Sequence, residues 1–353
     1  MKTEIIRDPD PASIERAGRI IRAGGLVAFP TETVYGLGGD ALNPEASRKI
    51  YAAKGRPSDN PLIIHISKIS DLTAVTTDIP ETAWALAERF WPGPLTMILK
   101  KNSSVPPETT GGLETAAVRF PDNRIAASFI EASGGFVAAP SANLSGRPSP
   151  TDIRYVIEDL DGRVDMIIDG GRSRIGLEST ILDLTEEEPV ILRPGFVTSE
   201  MLSEVLEKVS LDPGLSSEDP DFRPKAPGMK YRHYAPKGDL TVVYGSPENV
   251  VKYINEQSSL MRERGLRTGV IASGPDTGKY RADSVKNAGD RHRPSDISSA
   301  LYRILREFDD EETDEIYSEA FDGPGLYCAV MNRLLKAAGH KTVNADMLVK
   351  EAP

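Results

Sequence analysis

Residues 24–65 read GGLVAFPTETVYGLGGDALNPEASRKIYAAKGRPSDNPLIIH, and the fold is decided there. Leu26–Phe29 is a short apolar run between Gly24-Gly25 and Pro30, the pattern of a buried strand with a sharp stop. Thr31, Thr33 and Tyr35 crowd the strand exit with hydroxyls, with Glu32 between them. Glycines 36, 38 and 39 are expected to let the backbone approach a ligand closely. Asn43 followed by Pro44 predicts a helix start. That helix delivers Lys54 and Arg56 into a polar loop, and the apolar run Leu62–Ile66 returns the chain to the sheet with His65. Two cations facing a hydroxyl-rich strand end make an anion site, because ligands of open α/β sheets gather beyond the strand ends.

The stretch has an echo. Gly24–Gly36 reads GGLVAFPTETVYG and Gly134–Gly146 reads GGFVAAPSANLSG, aligned without a gap; Thr31 faces Ser141, and Thr33 faces Asn143. Each copy is trailed by Gly-Arg-Pro-Ser, at 55–58 and 146–149. The reading is two equivalent strand ends flanking one cleft, each with hydroxyls, amides and a nearby arginine.

Composition bounds the rest. The chain has 353 residues, 39% hydrophobic and 27% charged, enough for packed cores in one large or two ordinary domains. A net charge of −11 argues against a broad basic surface for nucleic acid, leaving room only for a local, weak RNA contact. One cysteine, Cys328, excludes an internal disulfide and a multi-cysteine zinc site. No apolar run reaches the roughly 18 residues of a membrane span, and MKTEIIRDPD lacks a signal-peptide core. The expectation is a cytoplasmic protein without membrane contact.

The fold class read from the pattern is α/β. Residues 1–207 alternate short strands (Leu95–Leu99, Ala116–Phe120, Phe136–Ala139, Met166–Ile168, Ser179–Leu184, Val190–Leu192) with helices such as Pro11–Arg22 and Glu81–Phe90. One mixed, twisted sheet with flanking helices results. Residues 208–236 are rich in Pro, Gly, Ser and charge, a linker. Its second half interleaves Met229, Tyr231, His233 and Tyr234 with Lys230 and Arg232, which fits a lid over the cleft. Residues 237–353 form a smaller Rossmann-like α/β domain, with strands Leu240–Tyr244, Thr268–Ala272 and Glu315–Glu319 between helices. No acid–base–nucleophile constellation stands in it.

Two motifs are decoys. Gly36-Leu37-Gly38-Gly39-Asp40-Ala41 fits a dinucleotide fingerprint, but Pro30–Thr33 intervene between the strand and the glycines. Gly274–Lys279 resembles a phosphate loop with one residue too few, and Tyr280 replaces the metal-binding hydroxyl.

Taken together, Pro30-Thr31-Glu32-Thr33-Val34-Tyr35-Gly36, Lys54-Gly55-Arg56-Pro57 and Pro140-Ser141-Ala142-Asn143 resemble the hallmark motifs of the YrdC-type threonylcarbamoyl-AMP synthases. The likeness covers roughly residues 10–200, and the linker and following domain resemble the longer, two-domain form. The resemblance implies that L-threonine, bicarbonate and ATP are joined into threonylcarbamoyl-adenylate with release of pyrophosphate, for a tRNA modification completed by a separate transferase complex. It implies Lys54 and Arg56 as catalytic cations that also hold ATP. Further nucleotide contacts fall to Ser58, Asn60, Thr115, Ser141, Asn143, Ser149 and Arg193, with Tyr231 and His233 in the lid. Thr31, His65, Arg119, Ala139 and Ser179 are implied for threonine. Mg²⁺ is expected with ATP; no protein ligand is assigned to it, and Glu32 is no more than a guess. Rival readings are an RNA-binding module, a nicotinamide dehydrogenase and a hydrogenase-maturation carbamoyltransferase; the last needs zinc-finger cysteines that this chain lacks.

Overall fold

The structure is a computed structural model that describes residues 2–216 and 233–349. The described residues fall into two compact units, one of residues 2–145 and 149–216, the other of residues 146–148 and 233–349. Among them, no helix is long and apolar enough to cross a membrane.

The first unit is built on an eleven-stranded mixed sheet. In chain order its strands are β1 (Glu4–Ile6), β2 (Val27–Phe29), β3 (Gly36–Asp40), β4 (Ile63–His65), β5 (Leu95–Lys100), β6 (Thr115–Arg119), β7 (Val137–Ala139), β8 (Met166–Ile168), β9 (Thr180–Asp183), β10 (Val190–Arg193) and β11 (Ser210–Leu211). Their spatial order is β1-β8-β2-β3-β7-β4-β6-β5-β9-β10-β11. The last strand lies beyond residue 207, where the composition shift had placed the start of a linker. Residues 217–232, most of that linker and Tyr231 with it, lie outside the described residues.

Side-chain alternation divides the sheet into two faces. One carries the main core, including Ala28, Leu37, Ile64, Met97, Val118, Ala138 and Leu182. On the other, the helices Pro11–Arg22 and Arg124–Ala132 pack on Val27, Phe29, Val137 and Ala139. The first of these helices opens with a capping box in which Asp10 and Ser13 exchange side-chain-to-backbone bonds. Further across the same face the floor is Ile63, Ile98, Ala117, Ile181 and Leu192. That floor carries the candidate site.

The glycine run overturns one expectation. Gly36, Gly38 and Gly39 do not open the backbone to a ligand; they form β3, paired with β2 on one side and β7 on the other. A Cβ on Gly38 would stand 2.7 Å from Val137 Cγ1, and one on Gly36 would stand 3.0 Å from Phe29 Cε1. The glycines make room for the Phe29 ring and Val137 to lie across the strand.

The second unit holds a five-stranded parallel sheet of β12 (Asp239–Tyr244), β13 (Thr268–Ala272), β14 (Ser284–Asn287), β15 (Glu315–Glu319) and β16 (Thr342–Asn344), in the order β14-β13-β15-β12-β16. Its helices Pro247–Glu263, Pro294–Asp310 and Leu326–Ala337 follow the predicted β-α alternation. Buried Arg306 donates from Nε to the Pro148 carbonyl at 3.0 Å. Ala235 N–H donates to the Gly146 carbonyl at 2.9 Å, and Arg147 lies 3.8 Å from Asp309. The Gly274–Lys279 decoy is a 3₁₀ turn whose lysine is paired with Asp276 at 2.7 Å.

Candidate active site

The echoed segments become β2 and β7, two strands that flank β3 and run parallel to each other. Their tips leave the sheet at the same end, two strand spacings or about 10 Å apart. The chain leaving β7 is fastened there to the start of β3: Leu37 N–H donates to the Pro140 carbonyl and Ala142 N–H to the Tyr35 carbonyl, at 2.9 and 2.8 Å.

Lys54 ends the helix Pro44–Lys54 because Gly55 takes a left-handed conformation, φ 63°. Its ammonium turns inward and donates to the carbonyls of Ser141 and Asn143. The Ser141 hydroxyl donates to Asn143 Oδ1 at 2.5 Å. Arg56 donates from Nε to the Asn60 carbonyl and from Nη2 to the Pro61 carbonyl, at 3.2 and 3.1 Å. Asn60 is buried, its Oδ1 without a hydrogen-bond partner among the described residues, while Ser58 is exposed. Thr115, half-buried, opens β6 opposite Lys100. By register, the start of β4 that follows the Arg56 acceptors and the start of β6 at Thr115 lie at the end of the sheet where β7 runs out toward Ser141.

The other end is set by register. His65, Arg119, Thr96, Ile181 and Arg193 are successive cross-strand partners over β4, β6, β5, β9 and β10. Directly opposed residues share a face, so this row runs across the same floor. Thr115 and Arg119 lie on that face four residues apart, about 13 Å at strand rise. Arg193, expected among the nucleotide residues, stands in the Arg119 row; its Nε and Nη2 donate to the Ser179 carbonyl and hydroxyl, both at 3.1 Å. Ser179 also bonds Thr96 Oγ1 at 2.7 Å. Ala139 closes β7 opposite Ile63. The Thr31 hydroxyl is occupied within its own turn, donating to the Val34 carbonyl at 2.6 Å. Ser149 donates to buried Glu178 at 2.6 Å.

His65 is buried, edge-on to the Phe29 ring at 5.8 Å. Burial and then the neighbouring Arg119 charge push its pKa down to about 3, so the imidazole is neutral at physiological pH. Arg119 Nη2 lies 2.7 Å from Glu32 Oε1, both side chains fully enclosed. Glu32, put forward as a magnesium ligand, lies against that guanidinium, whose positive charge opposes a dication there. No cluster of three His, Cys, Asp or Glu side chains converges among the described residues. These residues do not fit a protein-held Mg²⁺. His233 lies in the second unit, its ring 5.6 Å from that of Tyr234.

Thr96 and Glu178 were not among the residues read from sequence. The signal for Thr96 was the alternation in LTMILK, which puts it on one face with Ile98; its partnership with Ser179 depends on strand order.

Two family profiles match the chain. The one described as "Telomere recombination", of the Sua5–YciO–YrdC group, covers residues 19–195. The one described as "Threonylcarbamoyl-AMP synthase, C-terminal domain" covers residues 197–339. The chain is 47% identical to the threonylcarbamoyl-AMP synthase of Bacillus subtilis over 97% of each chain. It is 48% identical to that of Pyrococcus abyssi, over 94% of this chain and 95% of the relative. The crystal structure of P. abyssi Sua5 complexed with L-threonine superposes with a TM-score of 0.91 at 46% identity, covering 98% of this chain and 99% of that one. With both profiles in sequence order and near-full-length relatives of one name, the chain belongs to the two-domain threonylcarbamoyl-AMP synthase family.

Proposed function

We propose that the chain condenses L-threonine, bicarbonate and ATP into threonylcarbamoyl-adenylate and pyrophosphate. The observation that carries this reading is one sheet face with two polar ends. Lys54 is bonded to the Ser141–Asn143 tip at one, where the Arg56 acceptors lead into β4, and the His65–Arg119–Thr96–Arg193 row crosses the other. An amino acid at one end and a triphosphate at the other would bring a carbamate oxygen to the α-phosphorus between them.

In this mechanism the threonine amine, once deprotonated, takes up bicarbonate with loss of water. The resulting carbamate oxygen attacks the α-phosphorus, and the bond to the pyrophosphate oxygen breaks. No protein nucleophile is needed; positioning and charge stabilisation do the work. Arg119 receives the threonine carboxylate, with His65, Ala139, Ser179 and Thr31 around it. Lys54 and Arg56 neutralise carbamate and phosphate oxygens, the lysine as a point charge and the arginine as a fork. Ser141 and Asn143 hold phosphates, Ser58, Asn60, Thr115 and Ser149 complete those contacts, and Arg193 reaches the nucleotide from the far edge of its row, on β10. Tyr231 and His233 shield the labile adenylate. The product passes in the cytoplasm to a separate tRNA-modifying transferase.

The test is mass detection of threonylcarbamoyl-adenylate after mixing protein, ATP, threonine and bicarbonate, with each substrate omitted in turn. Pyrophosphate release that needs neither threonine nor bicarbonate would overturn the reading.

A further inference from the structure

Glu32 sits at the centre of the turn between β2 and β3, and its backbone is pinned on both sides. Ile175 N–H donates to the Glu32 carbonyl at 2.8 Å, and Gly176 N–H to that of Thr33 at 3.1 Å. Ser173 Oγ donates to the Thr31 carbonyl at 3.0 Å. The side chain is 2% exposed and, among the described residues, is ion-paired with Arg119 at 2.7 Å. Yet the approach is off the N–H direction. Among the described residues, neither Glu32 oxygen receives a hydrogen bond and Arg119 Nη2 finds no acceptor. Arg119 uses only Nε, toward the Gly93 carbonyl at 3.3 Å.

A structural arginine–carboxylate pair closes fork to fork, with two parallel hydrogen bonds. An enclosed pair that leaves its lone pairs and N–H groups unused carries the desolvation cost without the compensating bonds, and apolar residues of like volume serve stability as well or better. What this arrangement supplies is one negative and one positive group, side by side, each with open hydrogen-bonding capacity. His65, in register with Arg119, is neutral and adds no competing charge. The Thr31 hydroxyl is spent on Val34. A zwitterion complements this pair: a carboxylate for the arginine and an ammonium for the glutamate.

We propose that Glu32 receives the α-ammonium group of threonine while Arg119 holds its carboxylate. The inference rests on the threonine-dependent reading above and deepens it. Glu32 makes the site select α-amino acids over the corresponding α-hydroxy acids before any chemistry begins.

The experiment compares binding of L-threonine and of 2,3-dihydroxybutyrate of matching stereochemistry, by calorimetric titration of the full chain without ATP. Wild type is expected to prefer threonine by at least ~100-fold, because a site built around an ammonium leaves its carboxylate unpaired with the hydroxy acid. In Glu32→Gln the preference is expected to fall below ~10-fold with the thermal unfolding transition retained. A purely structural role would weaken both ligands alike and leave the ratio unchanged, which overturns the proposal. Should Glu32→Gln not fold, Glu32→Asp, which draws the carboxylate back by one methylene, replaces it: a preference held at the wild-type ratio overturns the proposal, as does equal affinity of wild type for the two ligands. Wild type that makes the adenylate without discriminating sinks only the role of Glu32. Wild type that neither binds threonine nor makes the adenylate sinks the parent reading.

Discussion

His65 and Arg119 stand directly opposite each other on parallel strands β4 and β6, the imidazole buried and the guanidinium beside it. Burial, then the Arg119 charge, lower the histidine pKa from 6.5 to about 3. Between those values the unfolded chain binds a proton that the native chain does not, so stability rises with pH across this window and falls on acidification. From pH 7 to pH 5 this one group should cost about 2 kcal/mol. Urea unfolding of wild type and His65→Gln at the two pH values checks it: wild type should lose that much more. Equal losses would remove His65 from the acid sensitivity.

Lys54 and Arg56 are predicted to carry charge stabilisation in the reaction. Lys54→Ala or Arg56→Ala should lower threonine-dependent pyrophosphate release by at least ~100-fold, about 2.7 kcal/mol of barrier. The Lys54 change also strands the Ser141 and Asn143 carbonyls, so it should weaken ATP binding as well. Turnover near wild type in both variants would place the catalytic charge elsewhere.

Gly38→Ala tests the reassignment of the glycine run from ligand loop to interior strand. The added Cβ meets Val137 Cγ1 at 2.7 Å, and overpacking of that kind costs about 1–3 kcal/mol. Gly55→Ala, at φ 63° with nothing within 4 Å, should cost only about 1 kcal/mol of backbone strain. Denaturant midpoints of the two variants, side by side, are the measurement; a silent Gly38→Ala would mean that β3 is not packed as described.

Arg306 is enclosed in the second unit and bonds the Pro148 carbonyl. Arg306→Leu should destabilise the chain by about 2–4 kcal/mol by leaving buried polar partners unanswered. Thermal unfolding followed by circular dichroism would register it, and Arg306→Lys should recover part of the loss. An unchanged transition in Arg306→Leu would count against the packing described here.

Much of the fold was legible because apolar runs and helix caps act locally. Pro11–Arg22, Glu81–Phe90, Met166–Ile168, Thr268–Ala272 and Glu315–Glu319 have the same bounds in sequence and structure. The strand Gly36–Asp40 was not legible: glycine is a poor strand former, and only its neighbours Phe29 and Val137 explain it. The helices Arg124–Ala132 and Ile153–Leu160 went unread, although Asn123 and Asp152 cap them. In the site, the kinship of the two strand tips was visible in the echo. The pairing of Glu32 with Arg119, of Ser179 with Thr96 and of Ser149 with Glu178 was not. Those contacts join strands and turns brought together by sheet order, which no single window of sequence contains.

Residues 146–148 follow directly from the Ser-x-Asn tip, yet their partners come far later in the chain; Arg306 is 158 positions past Pro148. During translation the amino-terminal sheet can assemble on its own. This three-residue ribbon stays unfastened until the helix Pro294–Asp310 clears the ribosome. A nascent or truncated chain ending near residue 207 therefore holds the Ser-x-Asn tip by Lys54 and β3, with residues 146–148 left without the partners that the later helix supplies.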